Sequence, residues 1–212
     1  MFNDFERKLN FIFELDKLKS IYRQTYILKE DRKENDAEHS WHLAVMVVLL
    51  AEYSNEPINI EKTIKMVLLH DVVEIDAGDT YCYDAEENKT KEKRERAAAE
   101  RIYHLLPDTQ AKAYISLWQE FEDCNTPESR FANAVDRFQP FVLNFLRGGQ
   151  SWREHRVTVN QVRKRMEPVK DGSERLWQYI CKILDKAIRD KLIYSSNSCA
   201  GCRKEGEKRE RK

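Results

Sequence analysis

Apolar residues recur along most of the chain at helical spacing, and alternating strand-like runs are nearly absent. The pattern predicts a first helix over Asn3–Ser20 and then a loop through Lys33. Asn35 with Glu38 three residues on forms a capping box that opens a second helix, running to about Tyr53. Its centre, LAVMVVLLA, is apolar all round and reads as the central core helix. A third helix starts at Asn59, places Ile60, Ile64, Val67, Leu68, Val72 and Ile75 at helical period, and ends at Gly78. After the loop DTYCYDAEEN comes a charged helix that runs to Leu106 and stops at Pro107. Further helices are predicted over Gln110–Cys124, from Thr126-Pro127 to Arg147 with Gly148-Gly149 behind it, and over Ser173–Ile193. The fold class is all-α, a single-domain helical bundle over residues 1–195. Residues 196–212 are expected to be a polar, charged and disordered tail.

Charge and composition narrow the function classes. Lys+Arg and Asp+Glu are both 37, so the chain has no global pull toward a nucleic-acid polymer or an anionic membrane surface. The segment KTKEKRERAAAERI alternates acids and bases and reads as a solvated helix face. The longest apolar run, Leu43–Ala51, is too short to span a bilayer, and the N-terminus lacks a signal-like pattern; the expected location is cytoplasmic. Five cysteines at irregular spacing argue for reduced thiols. The single CAGC of Cys199 and Cys202 is a weak zinc signal beside the plainer reading of two thiols in a solvated tail.

Three places set charged groups into apolar surroundings, where a buried charge needs a partner or a metal. In VLLHDVVEIDAGD, a helix would put His70, Asp71 and Glu74 on one face near its C-terminal end, where the dipole favours a cation. The competing reading is a surface face with a lone histidine. In AEHSWH, His39 stands just inside the preceding helix. Two consecutive helices joined by a short connection pack antiparallel, which brings His39 toward His70-Asp71. His42 points about a turn further into the bundle and reads as a core hydrogen-bonding group. In FANAVDRFQP, Asp136 interrupts an apolar face, and Pro140 removes the N–H that would bond its carbonyl, predicting a kink. An ordinary surface pair with Arg137 is the alternative there.

The segments RKENDAEHSWHLAVM, IKMVLLHDVVEIDAGDTYCYD, TPESRFANAVDRFQP and GGQSWREH resemble the HD-domain metal-dependent phosphohydrolase superfamily, in its 5′-deoxynucleotidase-like branch. The resemblance runs from about Leu15 to Tyr194. It implies a helical bundle with one divalent ion held by His39, His70, Asp71 and Asp136. It also implies catalytic roles for Glu74 and Asp79 beside the reacting water, and a phosphate contact from Arg23. The position after that arginine carries a tryptophan in the characterised bacterial enzyme and Gln24 here, so the resemblance leaves the choice between deoxyribose and ribose open. A homodimer is expected from family habit.

Two imidazoles and two carboxylates suit Mn²⁺, Fe²⁺, Co²⁺, Ni²⁺ or Zn²⁺ better than Mg²⁺. The activity that the resemblance implies is hydrolysis of (deoxy)nucleoside 5′-monophosphates to nucleoside and phosphate. The competing readings are an HD-type pyrophosphohydrolase or phosphodiesterase, or a catalytically silent helical protein with a structural metal. Trp152 and His155 in SWREH read either as a cap on the pocket or as a packed aromatic with a surface histidine.

Overall fold

The computed structural model describes residues 3–84 and 86–195. Helix α1 (Asp4–Leu15) opens with an Asn3–Glu6 capping box and tightens into a 3₁₀ segment over Asp16–Ser20. The expected loop to Lys33 instead contains two antiparallel strands, β1 (Tyr22–Tyr26) and β2 (Lys33–Asn35), with Tyr22 opposite Asn35 and Tyr26 opposite Lys33. The register shifts between these pairs, which blurs the two-residue alternation that would betray a strand. Among the described residues this is the sole sheet, and the architecture is the expected all-α bundle.

Helix α2 (Asp36–Leu50) starts at the predicted box: Asn35 Oδ1 accepts from the Glu38 N–H, and Glu38 Oε2 accepts from the Asn35 N–H. It is not buried all round. Leu43 and Val47 are fully enclosed, while Trp41, Val48 and Leu49 are more than half exposed on the other side. Helix α3 (Ile60–Leu69) is capped by Asn59, as read, but does not continue to Gly78. His70–Val73 winds as a 3₁₀ turn, followed by the short α4 (Glu74–Ala77). Gly78 then takes a positive φ of 74°, accessible to glycine at little cost.

Helices α5 (Asn88–Tyr103), α6 (Asp108–Asp123) and α7 (Pro127–Leu146) follow near their expected bounds. Thr126 caps α7, and Pro127 occupies its first turn. The segment after Gly149, given no structure from its sequence, folds as α8 (Gln150–Glu154), α9 (Val159–Met166) and α10 (Val169–Gly172). The last helix, α11 (Glu174–Arg189), is capped by Ser173 and ends before Ile193, which is nevertheless buried.

Two apolar clusters hold these elements. One gathers Leu43, Val67, Phe131, Val135, Trp152 and Ile180, tying α2, α3, α7, α8 and α11 together. The other joins Phe11, Leu18, Val72, Ile102 and Trp118 around the His70–Val73 turn. Val72 and Val73 of that turn lie in the second cluster, and His70 packs on Phe121 of the first, 4.7 Å between ring centroids. Among the described residues no helix is long and apolar enough to cross a membrane. The expected tail and its Cys199 and Cys202 lie outside the described residues.

Candidate metal centre

Three separated segments deliver the candidate side chains. The α2 capping box fixes where that helix begins and so sets His39 one turn inside it. The 3₁₀ turn that follows α3 supplies His70 and Asp71, and the middle of α7 supplies Asp136. His39 Nε2 lies 3.1 Å from Asp136 Oδ1 and 3.8 Å from Asp71 Oδ2. His70 Nε2 lies 3.0 Å from Asp71 Oδ2 and 3.7 Å from Asp136 Oδ1. Metal–ligand bonds of about 2.0–2.2 Å set neighbouring ligand atoms about 2.8–3.8 Å apart for bond angles of roughly 90–120°. These four separations are those of ligand atoms that could share an ion.

The tautomers fit as well. His70 Nδ1 is 2.9 Å from the Val67 carbonyl oxygen, so Nδ1 carries the hydrogen and donates it there. Its Nε2 is buried, has no hydrogen-bond partner, and faces carboxylates. A lone pair held against carboxylate oxygens requires a proton or a cation between them. His39 follows the same plan. Its Nδ1 lies 3.2 Å from Gln139 Oε1, leaving Nε2 toward Asp136. Such outer hydrogen bonds orient metal-ligating imidazoles. Without metal, burial opposes a charged imidazole, but Asp71 and Asp136 outweigh it and push His70 up to about 10. Burial likewise works against ionising Asp136, yet the two imidazoles hold its carboxyl well below the usual range.

The 3₁₀ turn changes the face expected from an α-helix. Residues three apart eclipse in such a turn, so Glu74 stacks with Asp71 rather than with His70. Asp36, Asp71 and Glu74 offer oxygens within 4.8 Å of one another, and so do the ligand atoms of His39, His70 and Asp136. Burial and the neighbouring Asp71 raise Asp36 to about 6 and Glu74 well above its ordinary value. Burial also raises Asp79, against the pull of Arg23. Glu74 Oε2 is buried without a hydrogen-bond partner.

Arg23, on β1, is enclosed by these acids. Its Nη1 donates to Asp71 Oδ2 at 2.6 Å and to Asp36 Oδ1 at 3.1 Å, and lies 3.9 Å from both Glu74 and Asp79. Gln24 lines the adjoining cavity, with its Oε1 accepting from Lys33 Nζ at 2.5 Å. Trp152 lines the same cavity but is buried against Phe141, and the His155 ring packs on Tyr81 at 4.3 Å between centroids. His42 accepts from Gln139 Nε2 at 3.2 Å, in the core role read for it.

Three participants escaped the sequence reading. Asp36 looks like an ordinary first-turn acid favoured by the helix dipole, and nothing local marks it as a partner of Arg23. Glu34 accepts from Gln139 Nε2 at 2.6 Å and is 3% exposed, though it sits in what reads as a charged loop. Gln139 did carry a signal: it stands three residues after Asp136, on the same side of α7.

The fold and the site together define an all-α protein with a buried cluster of histidines and aspartates that could hold a metal ion. A family model for the HD domain matches residues 15–177. The chain belongs to the HD domain family. It is 46% identical to "Predicted metal-dependent phosphohydrolase" from Magnetospirillum magnetotacticum, whose crystal structure superposes with a TM-score of 0.86 over 90% of this chain and 95% of that one. It is 29% identical to 5'-deoxynucleotidase HDDC2 of Xenopus laevis over 61% of this chain, and 27% identical to that of Homo sapiens over 61%. The matched regions span 63% and 62% of those two relatives.

Proposed function

We propose that the chain is a metal-dependent phosphohydrolase that cleaves (deoxy)nucleoside 5′-monophosphates into nucleoside and phosphate. The observation that carries this reading is the convergence of His39 Nε2, His70 Nε2, Asp71 and Asp136, the last three of these residues at the wall of a cavity, with both imidazoles preset through Nδ1. The relatives named 5'-deoxynucleotidase support the substrate class. His39, His70, Asp71 and Asp136 hold the ion, and two imidazole ligands favour Mn, Fe, Co, Ni or Zn over Mg. A divalent ion there polarises a phosphoryl oxygen and lowers the pKa of a water.

The chain's own groups do the rest. Glu74 stacks on Asp71, and its unpartnered Oε2 accepts the proton of the attacking water. Asp79, 3.9 Å from the same Arg23 nitrogen, shares that task. Arg23 positions the acids and contacts the phosphate through the face of its fork that they leave free. Gln24 stands where the sugar binds. Its amide makes no flat wall against a 2′-hydroxyl, so discrimination between dAMP and AMP stays below about a hundredfold. A homodimer would find an apolar surface in Trp41, Val48 and Leu49 of α2, and light scattering with Trp41→Ser tests it.

The experiment is phosphate release from a panel of dNMPs, NMPs, NTPs and cyclic nucleotides, with metal content measured on the same sample. Release from 5′-monophosphates, abolished by chelation and restored by a transition metal, is the expected result. Release confined to NTPs or cyclic nucleotides refutes the substrate class. A metal-replete protein inert toward every substrate class refutes the enzyme reading.

A further inference from the structure

The charge around the centre does not suit the proposed substrate. Five carboxylates crowd it: Asp36, Asp71, Glu74, Asp79 and Asp136. Against them stand Arg23 and one divalent ion, which leave two negative charges when all five are ionised. A phosphomonoester dianion meets repulsion there unless cations reach it from elsewhere on the wall. Three further cations line the cavity: Lys91, Arg137 and Arg165. The Lys91 ammonium is occupied by Glu95, 3.4 Å away.

Of the two arginines, Arg137 pairs with no carboxylate among the described residues, and Arg165 has only a long contact with Asp136. Arg137 follows Asp136 on α7, and its Nη1 donates to the carbonyl oxygen of Arg165 at 3.2 Å. Its Nε is buried with no acceptor, and among the described residues no carboxylate lies within 4.0 Å of its guanidinium. Arg165, near the end of α9, has Nη2 3.8 Å from Asp136 Oδ2, and its side chain is 33% exposed. Asp136 turns Oδ1 to the histidines and Oδ2 to Arg165. The guanidinium is therefore one carboxylate away from the metal position. Two cations on one wall, with a buried donor aimed at nothing, mark a place for an anion.

We propose that Arg137 and Arg165 form an anion-binding wall that receives the phosphoryl oxygens of the substrate. This rests on the phosphohydrolase reading and adds to it residues, besides Arg23, that hold the phosphate. Arg165 is the outer, adjustable member, and Arg137 is the inner, fixed one. Planar forks suit two oxygens of one phosphoryl group, which an ammonium cannot match.

The test titrates metal-loaded protein with inorganic phosphate by calorimetry and measures KM and kcat on a 5′-monophosphate. Arg165→Gln, Arg137→Gln and the double variant are compared, with metal content and melting followed throughout. Arg165→Gln touches a partly exposed side chain and keeps the fold. It should weaken phosphate binding and raise KM by about tenfold or more, as loss of a charge-assisted bond predicts, with metal content unchanged. Arg165→Lys should recover part of the loss. Wild-type phosphate affinity and KM in both Arg165→Gln and a folded double variant overturn the proposal. If the wild-type protein hydrolyses no monophosphate yet binds phosphate in an Arg165-dependent way, the substrate reading fails and the wall stands. If it hydrolyses them while the variants keep full phosphate affinity, the wall alone fails.

Discussion

Gln139→Met should weaken metal binding about tenfold while lowering the melting temperature by several degrees. Gln139 is 2% exposed and bridges three groups: its Oε1 accepts from His39 Nδ1, and its Nε2 donates to Glu34 Oε1 and His42 Nδ1. Methionine fills a similar volume, so no cavity opens and the loss is polar. The largest part is the 2.6 Å bond to the Glu34 carboxylate, because a charged hydrogen bond is worth about 1.5–3 kcal/mol. For a chain of this size each kcal/mol shifts the melting temperature by about 2–4 °C, giving a fall of roughly 3–12 °C. Loss of an outer partner to a metal-ligating histidine costs about 10–100-fold in affinity. The lower end applies here, because Glu34 Oε2 lies only 3.5 Å from His39 Nδ1 and can take over as acceptor. The assay is competition against a chromophoric chelator, with urea unfolding of the metal-free protein run in parallel. Unchanged metal affinity alongside reduced metal-free stability would refute the orienting role and leave Gln139 a structural bridge.

Three other outcomes follow from the same geometry. Glu74→Gln should retain stoichiometric metal and lose at least about a hundredfold in kcat, since general-base groups contribute about 10²–10⁴; near-native turnover with full metal would remove Glu74 from the chemistry. In chelator, His70 stability is linked to its proton. Its folded-state pKa is raised to about 10 from an ordinary 6.5, so that contribution is complete below pH 6.5 and fades as pH rises toward 10. Thermal melts of metal-free protein should decline across that window, and those of the metal-loaded protein should not follow, because the ion replaces the proton. Gly172→Ala should destabilise by about 1–3 kcal/mol in urea unfolding, because its Cβ would sit 2.8 Å from Ala134 Cβ and press on the Arg130 backbone where α10 packs on α7; a neutral result would show that this contact yields.

Helix starts were legible in the sequence because caps act over three or four residues. The Asn35–Glu38 box, Asn59, Thr126-Pro127 and Ser173 each satisfy amides inside their own first turn, whatever packs above them. The placement of His39 beside the end of α3 followed from the same local logic plus a short connection. Other features needed the assembled chain. The all-apolar centre of α2 does not reveal that Leu43 and Val47 turn inward while Val48 and Leu49 face out, since only neighbouring helices choose the face. The run from Ile60 to Ile75 keeps helical period, yet the chain tightens at His70–Val73, where Val72 and Val73 join the cluster with α1, α5 and α6 while His70 faces His39 of α2 and Asp136 of α7. Arg23 meets Asp36 and Asp71 across 13 and 48 residues, and His39 meets Gln139 across 100. Such pairings form because burial removes water and leaves each charge or donor no alternative partner. Local periodicity can mark the residues that need a partner, but only the packed helices decide which partner each one meets.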